Sequence, residues 1–333
     1  MDLQVKQQTI QTLIRNLSSV SDQTRIAALC ELRLLTKNDP LIRPIIIQQD
    51  EGAAISLLSE TLYSPSRLAQ ENAAATLLNL SISCKEQLIS TRGFLDSIAY
   101  CLSDHRNQPP AVVQSAAATI YSLSVEENFR SIIGGKREIV YSLIDIVGFK
   151  DSPSRSIKDG LKALFGLSLY PLNRPLLVEF GALDALFGIV VRDGRVGVIE
   201  DATAVIAQIA NCAESIQAFR KVSGIRVLVD LLNPETGWSS RTKENAVSGL
   251  LNLVKIGGEE VGKEIRSVGL GLIFDGLGEV VDCGSDKGKK RAQDLIKILE
   301  DGFSLSLKDD NFSGSGSDLY YHPSLDTSNS YSY

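Results

Sequence analysis

QENAAATLLNLS, at residues 70–81, returns with small changes as QSAAATIYSLS at 114–124 and as KENAVSGLLNL at 243–253. In each copy a small residue is followed by aliphatic residues four and seven positions later. This spacing places all three on one face of an α-helix. We number positions from the small residue, which is offset 0. The segment therefore predicts a helix that packs one apolar stripe against other helices.

The same stripe occurs seven times along the chain, at intervals of 42 to 46 residues. A helical pattern repeated at this period is typical of an α-solenoid, in which each unit buries its apolar face against its neighbours. The residues at offset 0 are Ala28, Ala73, Ala116, Gly160, Ala202, Ala246 and Ala292. Offset 4 holds Leu32, Leu77, Ile120, Leu164, Ile206, Leu250 and Ile296, and offset 7 holds Leu35, Leu80, Leu123, Leu167, Ile209, Leu253 and Leu299.

A glycine followed by a second apolar helix lies between successive copies, and a short apolar segment precedes most of these glycines. Glycine is expected where two helices meet at a sharp angle, because it tolerates positive φ and close helix approach. Each unit is thus predicted to hold a short first helix, a second helix and the striped third helix. The glycines are Gly52, Gly93, Gly135, Gly181, Gly224 and Gly269.

This three-helix unit resembles the armadillo repeat more than the two-helix HEAT repeat. The predicted fold is all-α, an armadillo-repeat solenoid of about seven repeats, and the resemblance implies a right-handed superhelix. The first repeat is partial, so residues 1–22 are predicted to form an N-terminal capping helix ahead of a repeat array at 23–302. Residues 303–333 are rich in serine and tyrosine and poor in aliphatic residues, so we expect a disordered tail there.

Composition limits the classes of partner. The chain has 34 basic and 40 acidic residues and a formal charge of −6, whereas nucleic-acid binding calls for a basic surface. No apolar run reaches the roughly 18 residues that cross a bilayer, and no signal peptide precedes the repeats. We therefore expect no membrane insertion and a cytoplasmic or nuclear location. The five cysteines are too scattered for a disulfide framework or a zinc site.

Four phrases resemble the armadillo region of plant U-box (PUB-type) E3 ubiquitin ligases and of relatives made of armadillo repeats alone. They are CELRLLTK (30–37), QENAAATLLNLSI (70–82), SAAATIYSLSVEEN (115–128) and KENAVSGLLNL (243–253). The resemblance covers residues 5 to about 300. In the U-box members an upstream module recruits the ubiquitin-conjugating enzyme, and the armadillo region binds substrates or receptor kinases. Because the repeats begin close to Met1, the resemblance implies a recognition region without the U-box.

Stacked units are expected to form a concave groove lined by third helices. Offsets −2, 2 and 6 lie away from the apolar stripe, so their side chains are predicted to face the groove and bind a partner, or else to form a solvated polar face. The amides at offset 6 are expected to be free for a peptide backbone. The predicted groove residues are Glu71, Asn79, Ser122, Lys158, Lys162, Glu200, Gln208, Glu244 and Asn252. The tryptophan ladder of importin-α is missing at these offsets, so a nuclear-import adaptor is less favoured.

The residues needed for catalysis are sparse. His105 and His322 are the only histidines, and we expect both at the surface, away from any nucleophile. No metal, cofactor or catalytic site is predicted. The expected function is a non-enzymatic scaffold that binds proteins or extended peptides, with kinases or ubiquitin-conjugation components as candidate partners. The alternative is the substrate-recognition component of a ubiquitin ligase that acts in trans.

Overall fold

The computed structural model describes residues 3–49 and 53–313, with side chains described up to residue 302. Within these ranges every regular element is helical. The α-helices are α1 (Leu3–Leu17), α2 (Asp22–Asn38), α3 (Ile42–Gln48), α4 (Ala53–Thr61), α5 (Arg67–Ser81), α6 (Lys85–Ser90), α7 (Phe94–Ser103), α8 (Pro110–Ser124), α9 (Glu127–Gly134), α10 (Arg137–Gly148), α11 (Ser154–Ser168), α12 (Arg174–Glu179), α13 (Ala182–Arg192), α14 (Val196–Ile209), α15 (Ser215–Lys221), α16 (Gly224–Asp230), α17 (Ser240–Val268), α18 (Leu270–Cys283) and α19 (Asp286–Ser313).

These helices fall into the predicted repeats. The striped third helices are α2, α5, α8, α11, α14, the first part of α17, and α19, and each packs on the next to form what we call the third-helix row. The long α17 bends at Gly258, where φ is 62° and ψ is −149°, so its second part serves as the first helix of the last repeat. The prediction of an all-α solenoid with three helices per repeat is confirmed.

Burial follows the predicted phase. All seven residues at offset 0 are buried, from Ala28 to Ala292, and so are all the aliphatic residues at offsets 4 and 7 except Leu35 and Ile296. Those two are half-buried and belong to the first and last third helices, which have a neighbour in the row on only one side. In the last helix Leu295 is fully buried in place of Ile296, while Ala292 and Leu299 keep the predicted phase.

The predicted role of the glycines before the second helices holds at some positions and is wrong at others. Gly93 and Gly181 adopt left-handed backbone conformations, with φ of 80° and 75°. Gly135 has an ordinary helical φ of −67°. At the sixth repeat Ser223 takes the left-handed conformation, and Gly224 instead permits close packing, since a Cβ there would lie 2.7 Å from Cε2 of Phe187. Gly52 lies outside the described residues.

The two ends of the array differ from the sequence prediction. The N-terminal capping helix runs from Leu3 to Leu17, and α2 starts after Ser21, whose hydroxyl accepts a hydrogen bond from the Thr24 backbone N–H. At the other end α19 continues to Ser313, so a tail that begins at residue 303 is wrong over its first eleven residues. Extending an existing helix costs far less than starting one, so a weak apolar pattern does not end it. The rest of the predicted tail, 314–333, lies outside the described residues.

Candidate functional site

The third-helix row is the inner side of the solenoid. Consecutive third helices contact one another more extensively than consecutive second helices do, as expected when the third helices lie on the shorter, concave arc. We call the solvent-facing surface of this row the groove. At about 100° per residue, offsets −2, 2, 5 and 9 point most directly into it, and offset 6 points toward the preceding helix.

The polar residues predicted at offset 6 are bonded to the preceding repeat. Asn79 donates through Nδ2 to the Thr36 hydroxyl (3.0 Å) and to the Arg33 carbonyl (3.3 Å). Asn252 donates in the same way to the Ala207 carbonyl at 2.8 Å. The expectation that these amides are unnecessary for packing is therefore wrong, because they tie neighbouring third helices together.

Ser122 behaves alike, since its hydroxyl donates to the Ser81 carbonyl at 2.9 Å. Gln208, at the same offset in α14, is half-buried, and its side chain makes no hydrogen bond with any described residue. Of the four polar residues predicted at offset 6, only Gln208 has a side chain with no described hydrogen-bond partner, so its amide is open to a ligand.

Two of the predicted carboxylates bind the starts of helices. Oε1 of Glu200 accepts a hydrogen bond from the hydroxyl of Ser239 at 2.7 Å, and Ser239 in turn caps α17. Oε1 and Oε2 of Glu244 accept from the backbone N–H and the hydroxyl of Ser285, immediately before α19. Glu71 occupies the equivalent position in α5, is half-buried, and pairs with no described residue. Of these three carboxylates, only that of Glu71 is free to bind a partner.

Lys158 and Lys162 lie at the middle of the groove on α11, and both are exposed. The ammonium group of Lys162 lies 6.0 Å from the centre of the Tyr121 ring, within reach of a cation–π interaction. Neither lysine forms a salt bridge with a described residue. These two predicted residues therefore present unpaired positive charge to solvent.

A cavity of about 230 Å³ opens beside Lys162, and we call it the central cavity. It spans four successive third helices, from α8 to α17, and combines aromatic, aliphatic and charged side chains. Its lining residues are Tyr121, Leu161, Lys162, Phe165, Asp201, Ala204 and Arg241.

Most of these residues were missed in the sequence. Tyr121 and Phe165 both stand at offset 5, where α5 has Leu78, and this recurrence of large apolar residues next to the stripe was the available signal. Asp201 stands at offset −1 and Arg241 near the start of α17, and no periodic pattern marks either of them. Their approach to the cavity depends on how the four helices are stacked.

Two aspartates beside the lysines are partly withdrawn from water. Burial raises the pKa of Asp201 above its ordinary value, although Arg241 and Lys162 act in the opposite direction. Burial likewise raises the pKa of Asp159, against the effect of Arg155, whose guanidinium Nε lies 3.6 Å from the carboxylate. At the middle of the groove the two lysines are therefore the exposed charges, and these two carboxylates lie deeper.

A second feature absent from the sequence prediction concerns arginines on first helices. Arg43, Arg130 and Arg174 each donate through Nε to a carbonyl at the C-terminal end of the preceding third helix, at 2.9 Å in all three cases. A guanidinium there satisfies a carbonyl with no partner inside the helix and interacts favourably with the helix dipole. These arginines fix the first helices to the row and make no contribution to the groove.

The side chains of His105 and of two of the five cysteines, Cys84 and Cys101, are buried. The expectation of a surface His105 is wrong, because its side chain is 4% exposed and its Nε2 lies 2.8 Å from Oδ2 of Asp145. Burial raises the pKa of the Cys101 thiol to about 12, which leaves it protonated and a poor nucleophile. Among the described residues no three histidine, cysteine or acidic side chains converge in a way that would hold a metal ion. Nor is any described helix both long and apolar enough to span a membrane.

Comparison with known sequences identifies the relatives. A family model described as the plant U-box protein ARM repeat region matches residues 9–311. U-box domain-containing protein 16 of Arabidopsis thaliana is 28% identical over 284 residues, which make up 84% of this chain and 39% of that protein. U-box domain-containing protein 4 of Oryza sativa subsp. japonica is 29% identical over 304 residues, 90% of this chain and 39% of that protein. The chain thus spans about two fifths of the length of these relatives.

Solved structures agree on the fold. An engineered protein from the Northeast Structural Genomics Consortium superposes with a TM-score of 0.75 at 20% identity, covering 87% of this chain and 68% of the other. A designed armadillo repeat protein has a TM-score of 0.50 at 20% identity, covering 87% and 99%. The predicted armadillo fold is confirmed by these likenesses and by the family match.

Proposed function

We propose that this chain, which belongs to the plant U-box protein ARM repeat family, is a non-enzymatic scaffold that binds a partner protein or peptide along its groove. The observation that carries the proposal is the set of unpaired residues at the middle of the third-helix row. Lys158 and Lys162 are exposed beside a cavity with aromatic walls, whereas most other polar groups predicted to face the groove bond to neighbouring repeats. Exposed groups without an internal partner are the ones available for recognition.

A charge reversal in the groove tests this proposal. Proteins captured from the native cell by the wild-type chain are compared with those captured by Lys162→Glu. Arg226→Glu is the matched control, since Arg226 is an exposed cation on the second helix α16 with no described partner. Loss of the same partners from the groove variant alone is the expected result. Equal loss from both variants, or from neither, would place binding elsewhere on the molecule.

The ligase-related alternative is favoured by the U-box domains named in the relatives. On this hypothesis the chain selects a substrate and another protein supplies the recruitment of the conjugating enzyme. An in vitro ubiquitination assay, with the chain alone and then with candidate ligase components, separates the two functions. Activity in either mixture would contradict a pure scaffold. Kinases or ubiquitin-conjugation components are the partner classes to examine first.

The location expected from the sequence, cytoplasmic or nuclear, is part of the same proposal. Partners of a scaffold have to share its compartment. Imaging of a fluorescent fusion in plant cells tests the location directly, and a signal confined to a secretory organelle would contradict it.

A further inference from the structure

We infer that the central cavity is the anchor site for an acidic segment of a partner protein, with one aromatic side chain of that segment inserted between Tyr121 and Phe165. The inference rests on the proposed function, because it names the partner chemistry of the same groove. Three features of the cavity carry it, namely its apolar walls, its exposed cations and its recessed carboxylate.

The walls suit one large apolar side chain. Tyr121, Phe165, Leu161 and Ala204 come from three successive third helices and surround about 230 Å³. That volume lies below the roughly 300 to 1,000 Å³ of sites for drug-sized ligands, so it suits a single side chain and is too small for a folded element. Aromatic rings pair favourably edge to face or offset, so an aromatic anchor gains more here than an aliphatic one of equal area.

The charge at the mouth of the cavity is positive. Lys158 and Lys162 are exposed and unpaired, and the side chain of Arg241 is 64% exposed, with its guanidinium 3.9 Å from Glu200. Opposing carboxylates lie deeper, as the 14% exposure of the Asp159 side chain illustrates. An approaching segment therefore meets the cations first, and acidic residues on either side of the anchor would complement them.

Asp201 is the residue of the cavity to which a basic ligand would bind. Its carboxylate forms no hydrogen bond or salt bridge with a described residue, and it is half-buried in the cavity wall. However, Lys162 and Arg241 flank it and already act on its charge. A lysine or arginine side chain entering the cavity would meet the unpaired ammonium group of Lys162 beside Asp201, whereas Arg241 already lies near Glu200. The exposed charges without a described partner are the cations Lys158 and Lys162, which favours an acidic segment over a basic one.

Fluorescence anisotropy with the full chain and short labelled peptides tests the inference. The first peptide has one phenylalanine flanked by two glutamates on each side. A second has lysines for glutamates, and a third has alanine for phenylalanine. The first peptide is expected to bind at least tenfold more tightly than either of the others, with an affinity that falls as salt rises.

Variants assign the binding to the cavity. Phe165→Ala is expected to weaken binding of the acidic peptide at least tenfold. Because Phe165 is partly buried, Lys162→Glu serves as a second variant at an exposed site and is expected to weaken binding by a similar factor. Arg226→Glu, on α16, is expected to leave it unchanged. Tighter binding of the basic peptide, or equal binding by Lys162→Glu, would overturn the inference.

The chain also carries an acidic, aromatic sequence of its own, DLYYHPSLD at residues 318–326. In the full chain, Tyr320→Ala together with Tyr321→Ala is expected to leave peptide affinity unchanged. A tenfold rise in peptide affinity would overturn the assignment to a partner protein. It would indicate instead that this segment of the chain binds in the cavity. If groove variants lose the native partner while the acidic peptide fails to bind, the scaffold proposal stands and this inference falls.

Discussion

Glu244 holds Ser285 through both of its carboxylate oxygens, accepting the backbone N–H at 2.7 Å and the hydroxyl at 2.6 Å. The same serine hydroxyl accepts a hydrogen bond from the Gly288 N–H at 3.1 Å in the first turn of α19. A Cβ at Gly288 would lie 2.6 Å from Cδ of Glu244, so the contact also needs glycine there. A residue of the sixth repeat thereby fixes the start of the last helix.

Replacing Glu244 by alanine should destabilise the last repeat. The change removes two hydrogen bonds that position the start of the helix, and a typical intramolecular hydrogen bond contributes about 0.5 to 1.5 kcal/mol. Hydrogen exchange measured by mass spectrometry is expected to show faster exchange in α19. Glu71→Ala is the matched control, because Glu71 stands at the same offset and has no described partner. Similar exchange in both variants would show that the contact with Ser285 is dispensable.

Ala73→Asp should prevent stable folding. Ala73 is 0% exposed at offset 0, and an unpaired carboxylate buried there costs several kcal/mol. Ala75→Asp, two residues further along the same helix at a half-buried groove position, is expected to have a much smaller effect. Thermal unfolding followed by circular dichroism compares the two, and equal midpoints would contradict the assigned phase of the third helix.

Arg174→Met should weaken the junction between the fourth, fifth and sixth repeats. The residue is 8% exposed and donates to the carbonyls of Ser168 and Asn211, at 2.9 and 3.1 Å. Methionine keeps an apolar stem but no donor, and a lost hydrogen bond to a charged group costs about 1.5 to 3 kcal/mol. Urea unfolding gives the change in free energy. Arg226→Met, at an exposed site with no described partner, should stay close to wild type, and a loss of similar size there would remove the special role of Arg174.

Asp201→Asn should stabilise the protein at neutral pH. Burial raises the pKa of Asp201 above its ordinary 3.8, so the folded state binds that proton more tightly than the unfolded state does. The charged carboxylate therefore opposes folding above its raised pKa, and this penalty fades as the pH falls toward 3.8. Unfolding midpoints measured from neutral pH to below 4 are expected to converge, and a stability gain that persists at low pH would contradict the mechanism.

Asp193→Asn should change the stability in the opposite direction, lowering it at neutral pH. Hydrogen bonds from Arg195 lower the pKa of Asp193, so its charged form supports folding above its ordinary pKa and that support is lost as pH falls through the lowered value. The variant is expected to be less stable than wild type at neutral pH and equal to it in strong acid. The same series of unfolding curves measures both aspartates, and a shared direction would exclude this explanation.

The phase of the third helices could be predicted from the sequence because it is a local property. An α-helix turns by about 100° per residue, so the spacing of Ala73, Leu77 and Leu80 already decides that they share one face. The apolar stripe is fully buried only where a third helix has a neighbour on both sides. Leu35 and Ile296, in the two end repeats, are therefore only half-buried.

What only the tertiary structure decided is which of the outward residues remain free. Asn79 and Gln208 share an offset, yet the Asn79 side chain bonds to Thr36 and Arg33 whereas the Gln208 side chain bonds to no described residue. Glu71 and Glu244 likewise share an offset and differ in partners. The atoms that meet such a side chain belong to another repeat some 40 residues away, and their position depends on how two helices are stacked and rotated. The periodicity within one helix does not depend on that rotation. It therefore predicts which face a side chain occupies but not which residue of the neighbouring repeat the side chain contacts.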